Sequence, residues 1–329
     1  MSIKIGILGA GSIARSHIRA LSKIEEAEVV SVYDINGEAA ALAAAEAGAT
    51  VAESPNQLLN NQQIDAVFIC VPQFARGDLE EMAVQRGIHL FVEKPLGLDL
   101  DIALGKARLI EQSGLINAAG YCLRYYDTVQ ETRRYLQGRR IHLIQAHRFG
   151  TSHPGKWWWQ LKQSGGHLVD AVTHQVDMIR FLAGELAEVH AHFGRASLTE
   201  TAPESTIYDA GAISFATASG AVGSVTESCV SPYHRGSEIK LFGADFFVHI
   251  VNNKTITIID AERNETLTSD QNAMYMQDLA FVQAVKNGRQ ELVCSSYADG
   301  VRTLAFTLAA NQSAVEKRTI SLQAGEVQM

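Results

Sequence analysis

The segment Ile3-Lys4-Ile5-Gly6-Ile7-Leu8-Gly9-Ala10-Gly11-Ser12-Ile13-Ala14 constrains the fold of this chain more than any other. A short apolar run of strand type, Ile3 to Leu8, meets a G-x-G-x-x-A turn, and a helical pattern opens behind it. Each small residue answers a geometric need. Gly9 permits the tight turn. Gly11 lacks a Cβ, so a pyrophosphate can approach the backbone, and Ala14 lets the helix lie close to the strand. The helix amino end, at Ser12 and Ile13, offers free N–H groups and a partial positive charge to phosphates. A second apolar strand, Glu28 to Tyr33, ends in Asp34, about 20 residues beyond the glycines, where dinucleotide folds place an acid on the ribose hydroxyls. A carboxylate there repels a 2′-phosphate. Ile35 follows, with no Arg or Ser cluster to receive one. The expected cofactor is therefore NAD in preference to NADP.

The alternation continues. A helical pattern covers Glu38 to Ala47. An apolar strand, Ile64 to Val71, ends before Pro72, and a helix runs from about Phe74 to Gln85. Ile88 to Val92 is a further strand, Asp99 to Gln112 a helix, and Ile116 to Tyr121 a last strand. Strands alternating with helices predict a parallel, doubly wound α/β sheet. Its strand ends at Gly9, Asp34, Val71-Pro72, Glu93-Lys94 and Tyr121 then share one edge, the edge where open α/β sheets bind ligands. The stretch Phe91-Val92-Glu93-Lys94-Pro95-Leu96-Gly97 is the most telling of these ends. Pro95 cannot donate to a sheet ladder and biases Lys94 away from helical geometry. The strand stops and leaves an ammonium group at its carboxyl end, in the same crevice as the cofactor phosphates.

Beyond Tyr121 the regularity fails. Cys122 to Gln137 reads as a helix carrying Arg124 and Tyr125, and Ile141 to Phe149 as a strand. The loop from Thr151 to Gln163 holds His153, Trp157, Trp158 and Trp159. It reads either as a wall against a sugar or other ring, or as a plug at a domain interface. Gly165-Gly166 follows, read as room for close approach to the backbone, and then a helix over 167–183. At about 100° per residue, Asp170, His174, Asp177 and Phe181 form one stripe of that helix. Leu168, Val172, Val176, Ile179 and Leu182 form the opposite one. A carboxylate and an imidazole one turn apart suit acid–base chemistry. Successive strand-like segments then run at Ala187–Gly194, Ile207–Phe215, Ala221–Ser228, Glu238–Gly243, Asp245–Ile250 and Thr255–Asp260. They predict a largely antiparallel sheet in an α+β domain. Tyr233-His234-Arg235 lies between two of them, within reach of a ligand. Helical patterns return at Tyr275–Lys286 and Tyr297–Val315. Two domains are expected, 1–121 and 122–329, with the last helices free to pack back on the first.

Composition narrows the function. The chain has 329 residues, 47% hydrophobic and 19% charged, and a net charge of −8. It has the balance of an ordinary globular protein, without the basic runs of a nucleic-acid or anionic-membrane surface. Its start shows no signal-peptide pattern, and no apolar stretch approaches the roughly 20 residues of a membrane helix. Cys70, Cys122, Cys229 and Cys294 lack metal or redox-pair spacing. They read as reduced thiols of a cytoplasmic protein, and no metal site is expected.

Three motifs stand in order: Gly9-x-Gly11-x-x-Ala14, Glu93-Lys94-Pro95, and Gly165-Gly166-x-x-x-Asp170-x-x-x-His174-x-x-Asp177. Over roughly residues 3 to 260 the chain resembles the glucose–fructose oxidoreductase, inositol dehydrogenase and MocA family. The resemblance implies a Rossmann domain, then a domain with a large open sheet through which subunits pair, giving a homodimer or homotetramer. It also implies hydride transfer between nicotinamide and a sugar, inositol or related polyol. The family's catalytic Lys falls on Lys94, and its Asp and His on Asp170 and His174. Gly120-Tyr121-x-x-Arg124-Tyr125 resembles the segment after the last Rossmann strand, which adds Arg124 to the cofactor side and Tyr121 to the substrate side. Trp157 and His167 join the substrate side, His167 as a second imidazole near the mouth of the site. Arg76, Asp127 and His167 depart from the family pattern, and Arg76 and His167 leave substrate identity open. In this reading His174 is the base, Asp170 holds the substrate and Lys94 steadies the developing alkoxide. Two alternatives remain at this stage: a redox-neutral NAD-dependent glycosidase of the same family, and a non-catalytic dinucleotide-binding protein.

Overall fold

The computed structural model describes residues 2–61 and 63–322. They form two compact units. Of these described residues, the first takes those up to 97 with 101–125 and 272–301, and the second takes 98–100, 126–271 and 302–322. The division expected at 121/122 thus falls at 125/126, and a late segment counts with the first unit.

The first unit is built on six parallel strands: β1 (Ile3–Leu8), β2 (Ala27–Tyr33), β3 (Thr50–Val51), β4 (Ala66–Ile69), β5 (His89–Val92) and β6 (Asn117–Ala119). Their order is β3-β2-β1-β4-β5-β6, so the direction of winding reverses between β1 and β4. That reversal is where such sheets open a crevice. The central strands read as unbroken apolar runs because helices cover both faces of a parallel sheet. Ala66, Val67, Phe68, Ile69, Leu90, Phe91 and Val92 are all fully buried. Register aligns the exits: Leu8 pairs with Tyr33 and Ile69, Ile69 with Val92, and Val92 with Ala119. Gly9, Asp34, Cys70, Glu93 and Gly120 therefore leave the sheet side by side.

Two expected helices are broken. The Phe74–Gln85 pattern divides into a 3-10 turn, Gln73–Ala75, and a helix, Leu79–Gln85, separated at Gly77. The break turns Arg76 inward. The Cys122–Gln137 pattern divides into a turn, Cys122–Tyr125, and a helix, Asp127–Tyr135, because Tyr126 is extended. The late segment enters as a helix, Ala273–Asn287, whose first turn is capped by Asn272 accepting from the Met274 and Tyr275 N–H groups. Its Phe281, Val282 and Ala284 pack into the same core as Ala14, Ile18 and Leu21 of the Ser12–Leu21 helix.

The second unit carries nine strands: β7 (Ile141–Phe149), β8 (Leu186–Gly194), β9 (Ala210–Thr217), β10 (Val222–Ser228), β11 (Gly236–Gly243), β12 (Phe246–Val251), β13 (Thr255–Asp260), β14 (Asn264–Thr268) and β15 (Ile320–Ser321). The order is β14-β13-β12-β11-β7-β10-β9-β8-β15, antiparallel except for β7 with β10. Alternation along each strand buries one face: Ile144 and Ala146, Ile239 and Leu241, Val248 and Ile250, Ile256 and Ile258. The helix Thr173–Ala183 lies against β7 and β11 on that face. The strand expected from Ile207 begins only at Ala210, because Ile207 is drawn into a small core with Trp158, Leu198, Ala202 and Cys229. β14 escapes a hydrophobicity reading because it is polar; Thr255–Thr268 and Thr257–Thr266 hydroxyl pairs, at 3.0 and 2.8 Å, join it to β13. Among the described residues no helix is long and apolar enough to cross a membrane.

Candidate active site

Gly9 sits at φ +95, and a Cβ there would lie 2.8 Å from the Cys70 carbonyl oxygen, so only glycine fits the turn. Gly11 is different. It is the N-cap of the Ser12–Leu21 helix with no side-chain cap, and an added Cβ would meet nothing within 4 Å. The space over Gly11 is not used by the protein's own packing, which is the cradle a pyrophosphate requires. Asp34 is fastened to that cradle. Its Oδ2 accepts from the Ala10 N–H at 2.6 Å and its Oδ1 from the Asn36 N–H at 2.8 Å. Each oxygen keeps a further lone pair for a ribose hydroxyl. Ile35, 94% exposed, has no packing role in the chain, and Ala14 is fully buried beneath the turn. These residues fit a dinucleotide.

The two glycines make opposite predictions. Gly11→Val is expected to leave the melting temperature nearly unchanged and to weaken NAD binding by tenfold or more, since the side chain fills the cradle alone. Gly9→Ala is expected to destabilise the protein by about 1–3 kcal/mol through strain at positive φ, with added cost from the clash. Calorimetric melting and NAD titration of both variants check this; equal effects on fold and binding would contradict it.

Lys94 stands half-buried at the exit of β5, and its peptide bond to Pro95 is cis. Glu93 was expected at the cofactor, but its carboxylate points inward and is only 5% exposed. One oxygen accepts from the Lys94 N–H at 3.0 Å, and the other meets His17 Nε2 at 3.1 Å. Gly120 makes room for it: a Cβ there would lie 2.5 Å from Glu93 Oε1. Arg76 also differs from expectation. It donates to the carbonyls of Val71 (3.1 Å), Glu93 (2.9 Å) and Pro95 (3.0 Å), and so ties the end of β4 to the end of β5 around Lys94. A buried guanidinium spent on three carbonyls is a clamp on the chain, not a reader of substrate. Pro72 is exposed beside it. Arg124 is likewise held inside, donating to the Cys294 carbonyl at 2.8 Å and paired with Asp299 at 2.6 Å. Tyr121 is fully buried, with Leu96, Ala119 and the Tyr121 ring closing around Gly300.

In the second unit Asp170 and His174 are both half-buried, while Asp177 is buried. The chain makes a π turn over Leu168–Val172 before the helix Thr173–Ala183. An i→i+5 turn is wider than an α turn, so a uniform 100° projection fails between Asp170 and His174. Asp177 is buried and accepts from the Thr303 hydroxyl at 3.0 Å. Asp170 accepts from the Trp158 indole N–H at 2.8 Å. Trp158, 1% exposed, thus meets a candidate residue, and Trp157 and Trp159 pack against the small core it anchors. Arg148 on β7 also feels Asp170: burial pulls its pKa down, and the carboxylate counters. His167 is buried rather than at a mouth, with its Nδ1 on the Glu227 carboxylate and its ring edge-on to Trp158. Gly165 and Gly166 adopt φ +76 and +83, and their missing Cβ atoms make way for Val169, Leu98 and Leu161 rather than for a ligand. Tyr233 is fully exposed, and Arg235 donates to the Pro232 carbonyl.

Two participants went unrecognised in the sequence. His17 sits on the apolar stripe Ala14-His17-Ile18-Leu21, and Asp278 on the buried face with Phe281. A titratable residue on an apolar stripe was the available signal. Chemically, the first unit offers an ammonium group on the same sheet edge as a phosphate cradle, and the second a carboxylate and an imidazole four residues apart.

Residues 3–121 match the description "Oxidoreductase family, NAD-binding Rossmann fold", and residues 138–246 match "GFO/IDH/MocA C-terminal domain". An inositol 2-dehydrogenase of Rhizobium meliloti (strain 1021) is 26% identical over 98% of this chain and 100% of its own length. The scyllo-inositol 2-dehydrogenase (NAD(+)) of Bacillus subtilis (strain 168) is 26% identical over 94% of each chain. A levoglucosan dehydrogenase solved with NADH shares the fold, with a TM-score of 0.90 at 18% identity over 98% of this chain and 100% of that one. With an NAD-binding Rossmann unit, a mostly antiparallel second sheet and both family domains in sequence, the chain belongs to the GFO/IDH/MocA family of oxidoreductases.

Proposed function

We propose that this protein is an NAD-dependent dehydrogenase that oxidises a secondary alcohol of an inositol, sugar or related polyol. The observation that carries the reading is the full-length similarity to an inositol 2-dehydrogenase, 26% over 98% of this chain and all of the relative. The glycine cradle and Asp34 would hold the cofactor, which supplies the hydride acceptor when bound. The chain's own residues manage the alcohol. His174 takes the hydroxyl proton, since an imidazole ordinarily titrates near neutrality and so serves as a base there. Asp170, steadied by the Trp158 indole, accepts a substrate hydrogen bond and fixes the ring. Lys94 places its ammonium against the developing alkoxide. Support for Lys94 is its place at a strand exit clamped by Arg76; support for Asp170 and His174 is their half-burial and shared segment. We assign the protein to the cytoplasm, in keeping with four cysteines that form no disulfide, and to homodimers or homotetramers formed through the open face of the nine-stranded sheet.

The test is NAD reduction, followed by absorbance, across inositols, aldoses, sugar acids and deoxy sugars. Reduction with one class is the expected result and names the substrate. Silence across the panel from protein that binds NAD would overturn the dehydrogenase reading; turnover of a glycoside without net NAD reduction would replace it by redox-neutral cleavage. Sedimentation of the same preparation tests assembly.

A further inference from the structure

Behind Lys94 lies a buried set of ionisable groups that the chemistry above does not use. His17 Nδ1 is 2.9 Å from both Asp278 carboxylate oxygens, and its Nε2 is 3.1 Å from Glu93 Oε1. His17 and Asp278 are wholly buried and Glu93 nearly so. The imidazole is set edge-on to Phe68 and Phe91, at 5.1 and 5.0 Å, and Phe281 packs against both rings. Burial disfavours the charged imidazole, yet the Asp278 and Glu93 carboxylates outweigh it and lift its pKa to about 10. A buried ionic set of this kind is weak support for stability, because apolar side chains of the same volume commonly hold a core as well or better. Stability therefore gives no reason for charges here.

Their connections give one. His17 lies on the helix that begins at the phosphate cradle, and Asp278 on the helix Ala273–Asn287. Glu93 carries the line onward, because its second oxygen accepts from the Lys94 N–H. The carboxylate occupies the space that a Cβ on Gly120 would fill. We propose that His17, Glu93 and Asp278 are positioning residues that fix the Lys94 backbone in register with the cofactor cradle. The proposal rests on the reading that Lys94 serves the reacting hydroxyl. His17 acts as a bridgehead: Asp278 orients the ring, the ring orients Glu93, and Glu93 orients the peptide that carries the ammonium. Positional errors of this kind cost rate more than affinity, since the loosened group is needed in the transition state.

The experiment is a double-mutant cycle on the full chain, with NAD and myo-inositol as the probe alcohol. Glu93→Gln and Asp278→Asn are each expected to lower kcat on the order of tenfold to a hundredfold, with KM and NAD affinity changed little. In a Lys94→Ala background the same changes should have almost no further effect, because they act through a group already removed. Multiplicative losses would overturn the proposal. Amide hydrogen exchange supplies a readout free of substrate. In His17→Asn, whose change lies two links away, the Lys94 N–H should exchange about tenfold faster than in the parent while the Ser12–Leu21 helix keeps its protection. Unchanged exchange at Lys94 would overturn it. So would failure of all three variants to fold, which would assign the set to stability. If the parent is inert toward every alcohol of the panel, the dehydrogenase reading fails, and exchange alone decides the positioning claim.

Discussion

Lys94→Ala is expected to lower turnover on the order of a hundredfold or more while NAD affinity stays nearly intact. The physical reason is local. The ammonium leaves the sheet beside the cradle, whose own groups are held by other contacts: Asp34 accepts from the Ala10 and Asn36 N–H groups, and Gly11 caps the Ser12–Leu21 helix. The loss should fall equally on kcat and kcat/KM, the signature of an interaction made only in the transition state. His174→Ala should lose a comparable factor, because proton removal by a positioned base is typically worth about 10²–10⁴-fold. Steady-state kinetics with an active alcohol, beside NAD titration of each variant, check both. Near-normal turnover in either variant would withdraw that residue from the chemistry.

Asp278→Ala is expected to be the most destabilising single change in the first unit, about 3–5 kcal/mol, because it leaves the buried imidazolium of His17 with one partner instead of two. Chemical denaturation measures it. The same set imposes a pH dependence on the intact protein. In the folded chain the His17 pKa stands at about 10, against 6.5 for an ordinary histidine. A pKa raised on folding means that the folded state holds its proton more tightly. The stabilisation is thus complete below about pH 6.5 and fades as pH climbs towards 10. The denaturation midpoint should fall across that window, and the fall should flatten in His17→Gln. A midpoint that holds or rises in the parent would refute the charged assignment.

What the sequence made legible was what is encoded locally. Strands β1, β2, β4 and β5 read as apolar runs, β4 and β5 being buried almost throughout, and the strand ends carry Gly9, Asp34 and Lys94 where a ligand-binding edge needs them. β3 is too short to leave a pattern, and the helix breaks at Gly77 and Tyr126 depend on tertiary demands: the first lets Arg76 reach three carbonyls. Asp170, His174 and Asp177 shared one amphipathic projection, but a π turn stands between Asp170 and His174, and Asp177 is buried against Thr303. The partners that hold the candidate residues were invisible for a different reason. His17 and Asp278 are 261 residues apart, His17 and Glu93 76 apart. No window of a sequence relates such positions, and a titratable residue on an apolar helix face, as His17 and Asp278 each are, does not name its partner.

The return of residues 272–301 to the first unit has a consequence for how the protein is made. During synthesis the Rossmann strands emerge first, yet the helix that completes their core, with Phe281 and Val282, emerges only after the whole nine-stranded region apart from β15. Until then His17 faces an open apolar surface with one carboxylate at most. The nascent first unit must wait, incompletely covered, while roughly 150 further residues are added at about 5–20 residues per second. That is an interval of many seconds in which Phe68 and Phe91 lack their lid. The chain is thereby committed to finishing its cofactor domain late, and a fragment cut before Asn272 is a poor candidate for an independent NAD-binding module.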